Sequence, residues 1–345
     1  MESIIHETAQ GLADVLGYGI VSHIEAENMA DNEQGWSGAE VVRKKVFFKD
    51  GTNTSMIFKI AERKERCAMK LLTEQAQCSP ASFSCDVISD EPRWMALEDL
   101  GQQKPASPDD GMWLNKVAKN LASIHAANMG KGAEMPWLPV ADGAYWQSVV
   151  TRISVAHFER KMKENLGFEQ QFGKYLPKLQ DAGCRFANDM TALYNEKEFL
   201  TLTHGDLQMH DGTHIYNCDG MPRIIDFGFC RYAPFYIDLA GWFTADNIKL
   251  YYDELSAKGI PIKYADFEER ARTAFRYSGF IYLCPSVIAW QDGPTERTGQ
   301  RLLQALKIIF DGDFPERKIN YSNGVFQKLL KEYQTNTLLS PDAVP

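Results

Sequence analysis

The sequence lacks three features that would each indicate a particular class of protein. Its longest apolar run, residues 280–290, has eleven residues and contains Pro285, whereas a membrane-spanning helix needs about 20. It has no excess of positive charge, because 37 Lys and Arg face 46 Asp and Glu for a net charge of −9. Its seven cysteines include no Cys-x-x-Cys pair. We therefore predict no membrane partner, no nucleic-acid partner and no disulfide scaffold.

What is present is typical of a globular protein with one large or two modest domains. The 345 residues are 44% hydrophobic, enough to bury a substantial core. Residues 1–7 lack the basic segment and apolar run of a signal peptide, and scattered cysteines suit a reducing compartment, so we expect a cytoplasmic protein. A net charge of −9 is ordinary for a soluble protein of this length, and it is also compatible with a cationic ligand.

The first hundred residues predict an antiparallel sheet with one helix. Four segments are rich in β-branched and aromatic residues, and an Asp-Gly pair at Asp50 and Gly51 indicates a hairpin between two of them. Apolar residues at helical spacing predict a helix over residues 62–77. The predicted strands cover residues 17–24, 39–48, 55–60 and 93–97.

A polar, proline-containing segment that ends at Asp110 predicts a linker. We place a lobe boundary there, with an amino-terminal lobe of residues 1–99 and a carboxyl-terminal lobe of residues 100–345. Beyond residue 145 the pattern is mainly helical, interrupted by two predicted strands at residues 199–203 and 223–225.

Acidic motifs follow both of these short strands. A His-Gly-Asp motif ends at Asp206, an Asp-Phe-Gly motif begins at Asp226, and an Asp-Leu-Ala motif begins at Asp238. Phosphoryl transfer needs one carboxylate to orient the attacking hydroxyl and accept its proton, and another to hold Mg²⁺ against the β and γ phosphates. The order and placement of the motifs therefore favour a phosphotransferase.

From about residue 15 to about residue 245 the chain resembles the aminoglycoside phosphotransferase and choline kinase superfamily, distant relatives of protein kinases. The resemblance implies an α+β, protein-kinase-like fold of two lobes: a small antiparallel sheet lobe with one helix, and a larger, mainly helical lobe. It implies that Asp206 is the catalytic aspartate and that Asp226 binds Mg²⁺. It also implies that His204 and Asp238 brace the catalytic loop.

The same resemblance assigns nucleotide-binding roles in the amino-terminal lobe. Lys59 would contact the α and β phosphates, with Glu65 as its partner. Glu62 and Glu74 are the alternative partners. The backbone at Glu98 and Leu100 would bind adenine or guanine, so that ATP and GTP are both open as donors. Ser37 and Gly38 would belong to the phosphate loop, although they could equally form a plain turn.

The second metal ligand departs from the family pattern. The family has Asn five residues after the catalytic aspartate, where this sequence has Asp211, itself a hard oxygen ligand. A small insertion could instead bring Thr213 or His214 to that position. The sequence therefore leaves three candidates for this ligand.

The predicted function is an ATP- or GTP-dependent, Mg²⁺-dependent kinase that phosphorylates a hydroxyl of an antibiotic, an amino alcohol or a metabolite. One alternative is a catalytically weak, regulatory pseudokinase. It is suggested by the missing Asn and by a phosphate loop whose sequence is only loosely similar to the glycine-rich loop of kinases. Another is a metallohydrolase, because His210 and His214 have the i, i+4 spacing of two ligands on a helix. Gly212 between them argues against that helix. The oligomeric state is open.

Overall fold

Five antiparallel strands form the amino-terminal sheet of the computed structural model, which describes residues 2–27, 40–101, 110–207 and 214–312. The strand order is β1-β2-β3-β5-β4. The hairpin predicted at Asp50 and Gly51 joins β2 to β3, and Gly51 has a φ of +88°, a conformation that glycine adopts without strain. The strands are β1 Val21–Glu27, β2 Val41–Phe48, β3 Asn53–Ala61, β4 Ser82–Phe83 and β5 Arg93–Glu98.

Two helices pack against this sheet, one more than the sequence predicted. The predicted helix is α2, Arg63–Glu74. The additional helix is α1, Glu2–Leu16, which buries Leu12 and several small residues in a separate core with the sheet. Since that buried stripe consists mostly of Ala and Thr, its apolar periodicity is weak.

The carboxyl-terminal part is mainly helical, as predicted. Its long helix α9 contains the apolar run of residues 280–290, which is buried inside the protein. Among the described residues, no helix has both the length and the apolar character to cross a membrane. The helices are α3 Gly111–Asn128, α4 Gly143–Gln147, α5 Ala156–Glu164, α6 Leu166–Phe172, α7 Leu176–Asn195, α8 Lys249–Ala257, α9 Tyr264–Asp292 and α10 Glu296–Asp311. A π-helical segment, Ser148–Val155, joins α4 to α5.

Two small antiparallel pairs of strands interrupt the helices and carry the acidic motifs. Strand β6, Leu200–Thr203, pairs with β9, Arg231–Pro234, and β7, Ile215–Cys218, pairs with β8, Met221–Ile224. Asp206 lies three residues after β6, and Asp226 lies two residues after β8. The pairing of β6 with β9 places the strand before the His-Gly-Asp motif beside the strand after the Asp-Phe-Gly motif. The lobe boundary between residues 99 and 100 stays a prediction.

Candidate active site

Lys59 links the sheet lobe to the Asp-Phe-Gly motif. Its Nζ lies 2.7 Å from Glu65 Oε1 and 2.9 Å from Asp226 Oδ1. Strand β3 supplies Lys59 and the first turn of α2 supplies Glu65. The Lys59 and Glu65 side chains are 12% and 5% exposed, whereas that of Asp226 is 44% exposed and so faces open space. The buried ion pair of Lys59 and Glu65 therefore contacts the accessible carboxylate of Asp226.

The other two glutamates considered as partners of Lys59 lie elsewhere. Glu62 pairs with Lys64 at 3.0 Å, and Glu74 pairs with Lys70 at 3.7 Å. Both carboxylates are more than half exposed. Of the three candidates, the structure brings Glu65 to Lys59.

These contacts shift two pKa values in opposite directions. Desolvation lowers the pKa of Lys59, but the Glu65 and Asp226 carboxylates outweigh it, so the pKa lies above the ordinary lysine value. Desolvation raises the pKa of Asp226, but Lys59 and, less strongly, His214 outweigh it, so the pKa lies below the ordinary value. At neutral pH the ammonium and the Asp226 carboxylate are both charged.

Replacing Glu65 with Gln tests the contact with Lys59. We expect the free energy of unfolding to fall by about 1–3 kcal/mol, because Gln can still accept from Lys59 but lacks the negative charge that offsets the buried ammonium. Denaturant unfolding measures it. Glu62→Gln is the matched control, since Glu62 precedes the same helix, is exposed and pairs with Lys64. It should cost about 0–1 kcal/mol. Equal losses in the two variants would contradict the assignment.

His204 joins the loops that carry the two aspartates. Its Nε2 lies 2.7 Å from the carbonyl oxygen of Ile225, and since a carbonyl only accepts, Nε2–H is the donor. Its Nδ1 accepts a hydrogen bond of 3.2 Å from the backbone N–H of Asp206. Burial and the neighbouring His214 lower the pKa of His204, which favours the neutral ring that this pattern requires. One imidazole therefore fixes Asp206 relative to the residue before Asp226.

Asp238 holds the same loop from the opposite side. Its two carboxylate oxygens accept backbone hydrogen bonds from His204 N–H at 2.7 Å and from Gly205 N–H at 2.9 Å. The Asp238 side chain is fully buried. The residues predicted to brace the catalytic loop, His204 and Asp238, thus both contact it directly.

Gly205 occupies a position where a side chain does not fit. Its φ is +81°, and a Cβ there would collide with the carbonyl oxygen of Phe229. We expect Gly205→Ala to destabilise the protein by more than the 1–2 kcal/mol or so that a left-handed conformation costs an L-residue. Gly17→Ala is the control, because Gly17 has a φ of +73° and nothing within 4 Å of its Cβ position. Unfolding midpoints compare the two, and equal shifts would contradict the predicted collision.

The hinge residues, which are Glu98 and Leu100 predicted to bind the base, lie at the end of β5 and just after it. The backbone N–H of Glu98 donates to Ala81 at 2.9 Å, so the predicted base contacts concern the Glu98 carbonyl and the Leu100 N–H. Between them, Asp99 accepts two hydrogen bonds from Arg43 of β2, at 2.7 and 3.2 Å. Both of these side chains are about one tenth exposed. The two-point ion pair ties the hinge to the sheet.

Three predicted site residues, Ser37, Gly38 and Asp211, lie outside the described residues, as does Thr213. Their roles stay predictions. His214, the third candidate for the second metal ligand, is described, and it lies beside Asp226 with Nε2 3.8 Å from Oδ2.

Asp226 fits a divalent cation held jointly with phosphates. It is ionised and accessible, and it has a left-handed backbone with φ of +63° at the end of β8. Within the described parts of the chain, no three His, Cys, Asp or Glu side chains form a group able to hold a metal alone. Nucleotide-associated Mg²⁺ takes one or two carboxylates and completes its shell with phosphates and water. The residues present fit a cation of that kind.

A sequence model of the phosphotransferase enzyme family matches residues 39–273, a range that includes Lys59, Asp206, Asp226 and Asp238. The chain belongs to the phosphotransferase enzyme family. Membership confirms the recognition made from the sequence and the predicted enzyme class, a kinase with a hydroxyl acceptor. No curated protein is similar enough to count as a match.

Solved kinase structures share the fold of this phosphotransferase. Spectinomycin phosphotransferase, in complex with ADP and spectinomycin, is 12% identical with a TM-score of 0.51, and the match covers 89% of this chain and 98% of that one. Choline kinase from Cryptosporidium parvum is 14% identical with a TM-score of 0.53, covering 85% and 92%. Ethanolamine kinase from Plasmodium vivax is 12% identical with a TM-score of 0.51, covering 84% of each chain. They confirm the predicted two-lobed α+β fold.

Sequence reasoning missed several residues that support the site of this phosphotransferase. His125 lies 3.1 Å from Asp238. Tyr251 contacts His125 at 2.7 Å, and Tyr277 donates to the Gly205 carbonyl at 3.3 Å. Arg43 at the hinge was not singled out either. No local motif signals these contacts, because each joins residues at least 56 positions apart.

Proposed function

We propose that this chain transfers the γ-phosphoryl group of a nucleoside triphosphate to a hydroxyl of a small molecule. The observation that carries the proposal is the contact of Lys59 with both Glu65 and Asp226. Kinases of this kind require an ion pair between a strand lysine and a helix glutamate, and an Asp-Phe-Gly aspartate placed to hold Mg²⁺ beside it. Membership of the phosphotransferase enzyme family supports it.

The donor nucleotide would bind in the cleft beside Lys59. Its ammonium neutralises phosphate charge, and Glu65 keeps the side chain in position. The Glu98 carbonyl and the Leu100 N–H at the end of β5 would bind the base, and Ser37 and Gly38 would contact the phosphates. ADP in the spectinomycin phosphotransferase structure supports a nucleotide here. ATP and GTP are both candidate donors.

Asp226 would hold the nucleotide-bound divalent cation, for which Mg²⁺ is the expected metal, with Asp211 or His214 as a further ligand. When bound, the cation neutralises charge on the β and γ phosphates. Asp226 is suited to this role because Lys59 keeps its carboxylate ionised. The same Lys59 contact limits the positions that the carboxylate can adopt.

Asp206 would orient the acceptor hydroxyl and accept its proton as the hydroxyl oxygen bonds to the γ phosphorus. The bond from that phosphorus to the bridging oxygen breaks, and the nucleoside diphosphate leaves. His204 and Asp238 hold the Asp206 loop through its backbone, so the carboxylate is positioned before the acceptor arrives. Such positioning supplies most of the rate enhancement in phosphoryl transfer.

The proteins with the same fold suggest a general chemical class for the acceptor. Spectinomycin, choline and ethanolamine, named with the similar structures, all carry hydroxyl groups and are cationic. A cationic acceptor is therefore our first candidate for this chain. We also propose a cytoplasmic location and a boundary between the lobes at residues 99 and 100.

The regulatory pseudokinase gains no support from the family or from the similar structures. That alternative was suggested by the missing Asn and by the weak sequence similarity of the phosphate loop to a glycine-rich kinase loop. The ion pair between Lys59 and Glu65, which an active kinase requires, argues against it.

The test is a panel of alcohols incubated with ATP or GTP and Mg²⁺, including spectinomycin, choline, ethanolamine and neutral sugars. We expect nucleoside diphosphate to accumulate with at least one acceptor, and mass spectrometry to find one added phosphate on it. Asp226→Ala is the matched negative control. If the nucleotide binds to the wild-type protein but no acceptor is phosphorylated, and no slow hydrolysis of the γ phosphate occurs, the pseudokinase replaces this proposal.

A further inference from the structure

His214 lies between the two loops that carry the acidic motifs. Its Nδ1 is 2.9 Å from the carbonyl oxygen of Asp206, and because a carbonyl only accepts, Nδ1 carries the proton. In the neutral ring Nε2 then carries the lone pair. Nε2 faces the Asp226 carboxylate, 3.8 Å from Oδ2. The ring also stacks on His204, with centroids 5.1 Å apart.

The distance from His214 Nε2 to Asp226 Oδ2 has a specific meaning. At 3.8 Å it is too long for a hydrogen bond. Adjacent ligands of an octahedral cation with bonds of about 2.1 Å lie about 3 Å apart. The two atoms thus face each other without a direct hydrogen bond, and a movement of less than about 1 Å would let both bind one ion.

The hydrogen bond at Nδ1 supports the same interpretation. Histidines that bind metals through one ring nitrogen almost always donate the other N–H to a carboxylate or a backbone carbonyl, which fixes the tautomer and the ring plane. His214 donates to the Asp206 carbonyl in this way. Asp226 is arranged to match, because Oδ1 receives the Lys59 hydrogen bond while Oδ2 faces His214.

We propose that His214 Nε2 is the second protein ligand of the nucleotide-bound cation, beside Asp226 and in place of the family's asparagine oxygen. This inference rests on the proposed function. It changes the expected metal preference, because Mg²⁺ is held almost entirely by oxygen ligands and water, whereas first-row divalent metals, Mn²⁺ included, bind imidazole nitrogen more readily than Mg²⁺ does. The site should therefore favour Mn²⁺ over Mg²⁺ more strongly than a site with two oxygen side chains does.

The direct test is the nitrogen coupling to bound Mn²⁺, measured by electron spin echo spectroscopy on the full chain with the β,γ-methylene analogue of ATP or of GTP. We expect an imidazole nitrogen coupling whose frequency changes when all histidines carry ¹⁵N. This labelling uses the unaltered protein, so it does not depend on how a variant folds. Absence of a histidine coupling in the nucleotide complex would overturn the inference.

A matched pair of variants adds affinity to the test. His214→Asn supplies an oxygen ligand, and we expect it to remove the nitrogen coupling and to lower the affinity for Mn²⁺ relative to that for Mg²⁺ in the nucleotide complex. Free Mn²⁺ measured by its spin resonance signal gives the affinity. His6→Asn, on the exposed face of α1, should change neither quantity. Persistence of the coupling in His214→Asn would also overturn the inference.

The outcomes separate this inference from the proposed function. If phosphate transfer with Mg²⁺ is found but Mn²⁺ shows no histidine coupling, the phosphotransferase stands and His214 is not a ligand. If neither analogue binds with Mn²⁺ or Mg²⁺, both proposals fail.

Discussion

Replacing Asp206 with Ala is expected to lower kcat by about 10²–10⁴-fold, the range that a positioned general base typically contributes. Nucleotide affinity should change little, because the contacts proposed for the phosphates come from Lys59 and Asp226 on other elements. Steady-state kinetics give kcat, and nucleotide titration gives the affinity. The acceptor identified by the alcohol panel serves as substrate.

Asp189→Ala is the control for Asp206→Ala, because Asp189 is an exposed carboxylate on α7, remote in sequence from both motifs. It should leave kcat unchanged. Full turnover by Asp206→Ala would remove Asp206 from the mechanism. An equal loss of kcat and of nucleotide affinity would instead show that Asp206 acts through the structure of the cleft.

The strongest local patterns in the sequence predicted the corresponding elements closely. Strand β3 was predicted at residues 55–60 and spans Asn53–Ala61, and α2 was predicted at residues 62–77 and spans Arg63–Glu74. Strands β7 and β9 are as short as β6 and β8, which were predicted, but Asn217 in β7 and Pro234 in β9 are residue types that are depleted in strands, so these two were missed. Helix α1 was missed because alanine and threonine give its buried face little contrast.

In the candidate site too, contacts between residues close in sequence were predicted, and most contacts between distant residues were not. Lys59 and Glu65 are six residues apart, and their contact was predicted from the family resemblance, which the local pattern of a strand followed by a helix supports. Asp238 was predicted as a brace from the resemblance, but the groups around it were not. His125 and Tyr251 are 126 residues apart, and only the packing of α3 against α8 brings them together.

His125 and Tyr251 extend the Asp238 brace into a buried chain of hydrogen-bonding groups. Burial and the nearby Asp238 carboxylate raise the pKa of Tyr251 well above the ordinary value, so its hydroxyl stays protonated and donates to His125 Nδ1 at 2.7 Å. His125 Nε2–H can then donate to Asp238 Oδ2 at 3.1 Å. Each donor in this chain thus meets an acceptor, and the chain ends at the backbone that precedes Asp206.

Asp238→Asn should be the most destabilising single-atom change in this network. The carboxylate accepts from two backbone N–H groups and contacts His125, all with no solvent exposure. An amide of the same shape has one accepting oxygen, and its NH₂ group would face a donor. We expect a loss of about 3–5 kcal/mol in the free energy of unfolding, as when one partner leaves a buried charged network. Denaturant unfolding at neutral pH measures it.

Two further variants provide smaller losses of stability with which the loss in Asp238→Asn can be compared. Tyr251→Phe removes one hydrogen bond at the far end of the chain and should cost about 1 kcal/mol. Asp253→Asn should cost about 0–1 kcal/mol, because Asp253 pairs with Lys249 on the exposed face of α8. If Asp238→Asn unfolds at the same denaturant concentration as Asp253→Asn, the buried carboxylate does not hold the loop. If the ranking is as expected, kcat of Asp238→Asn should also fall in the folded protein, because the His204 and Gly205 backbone would no longer fix the position of Asp206.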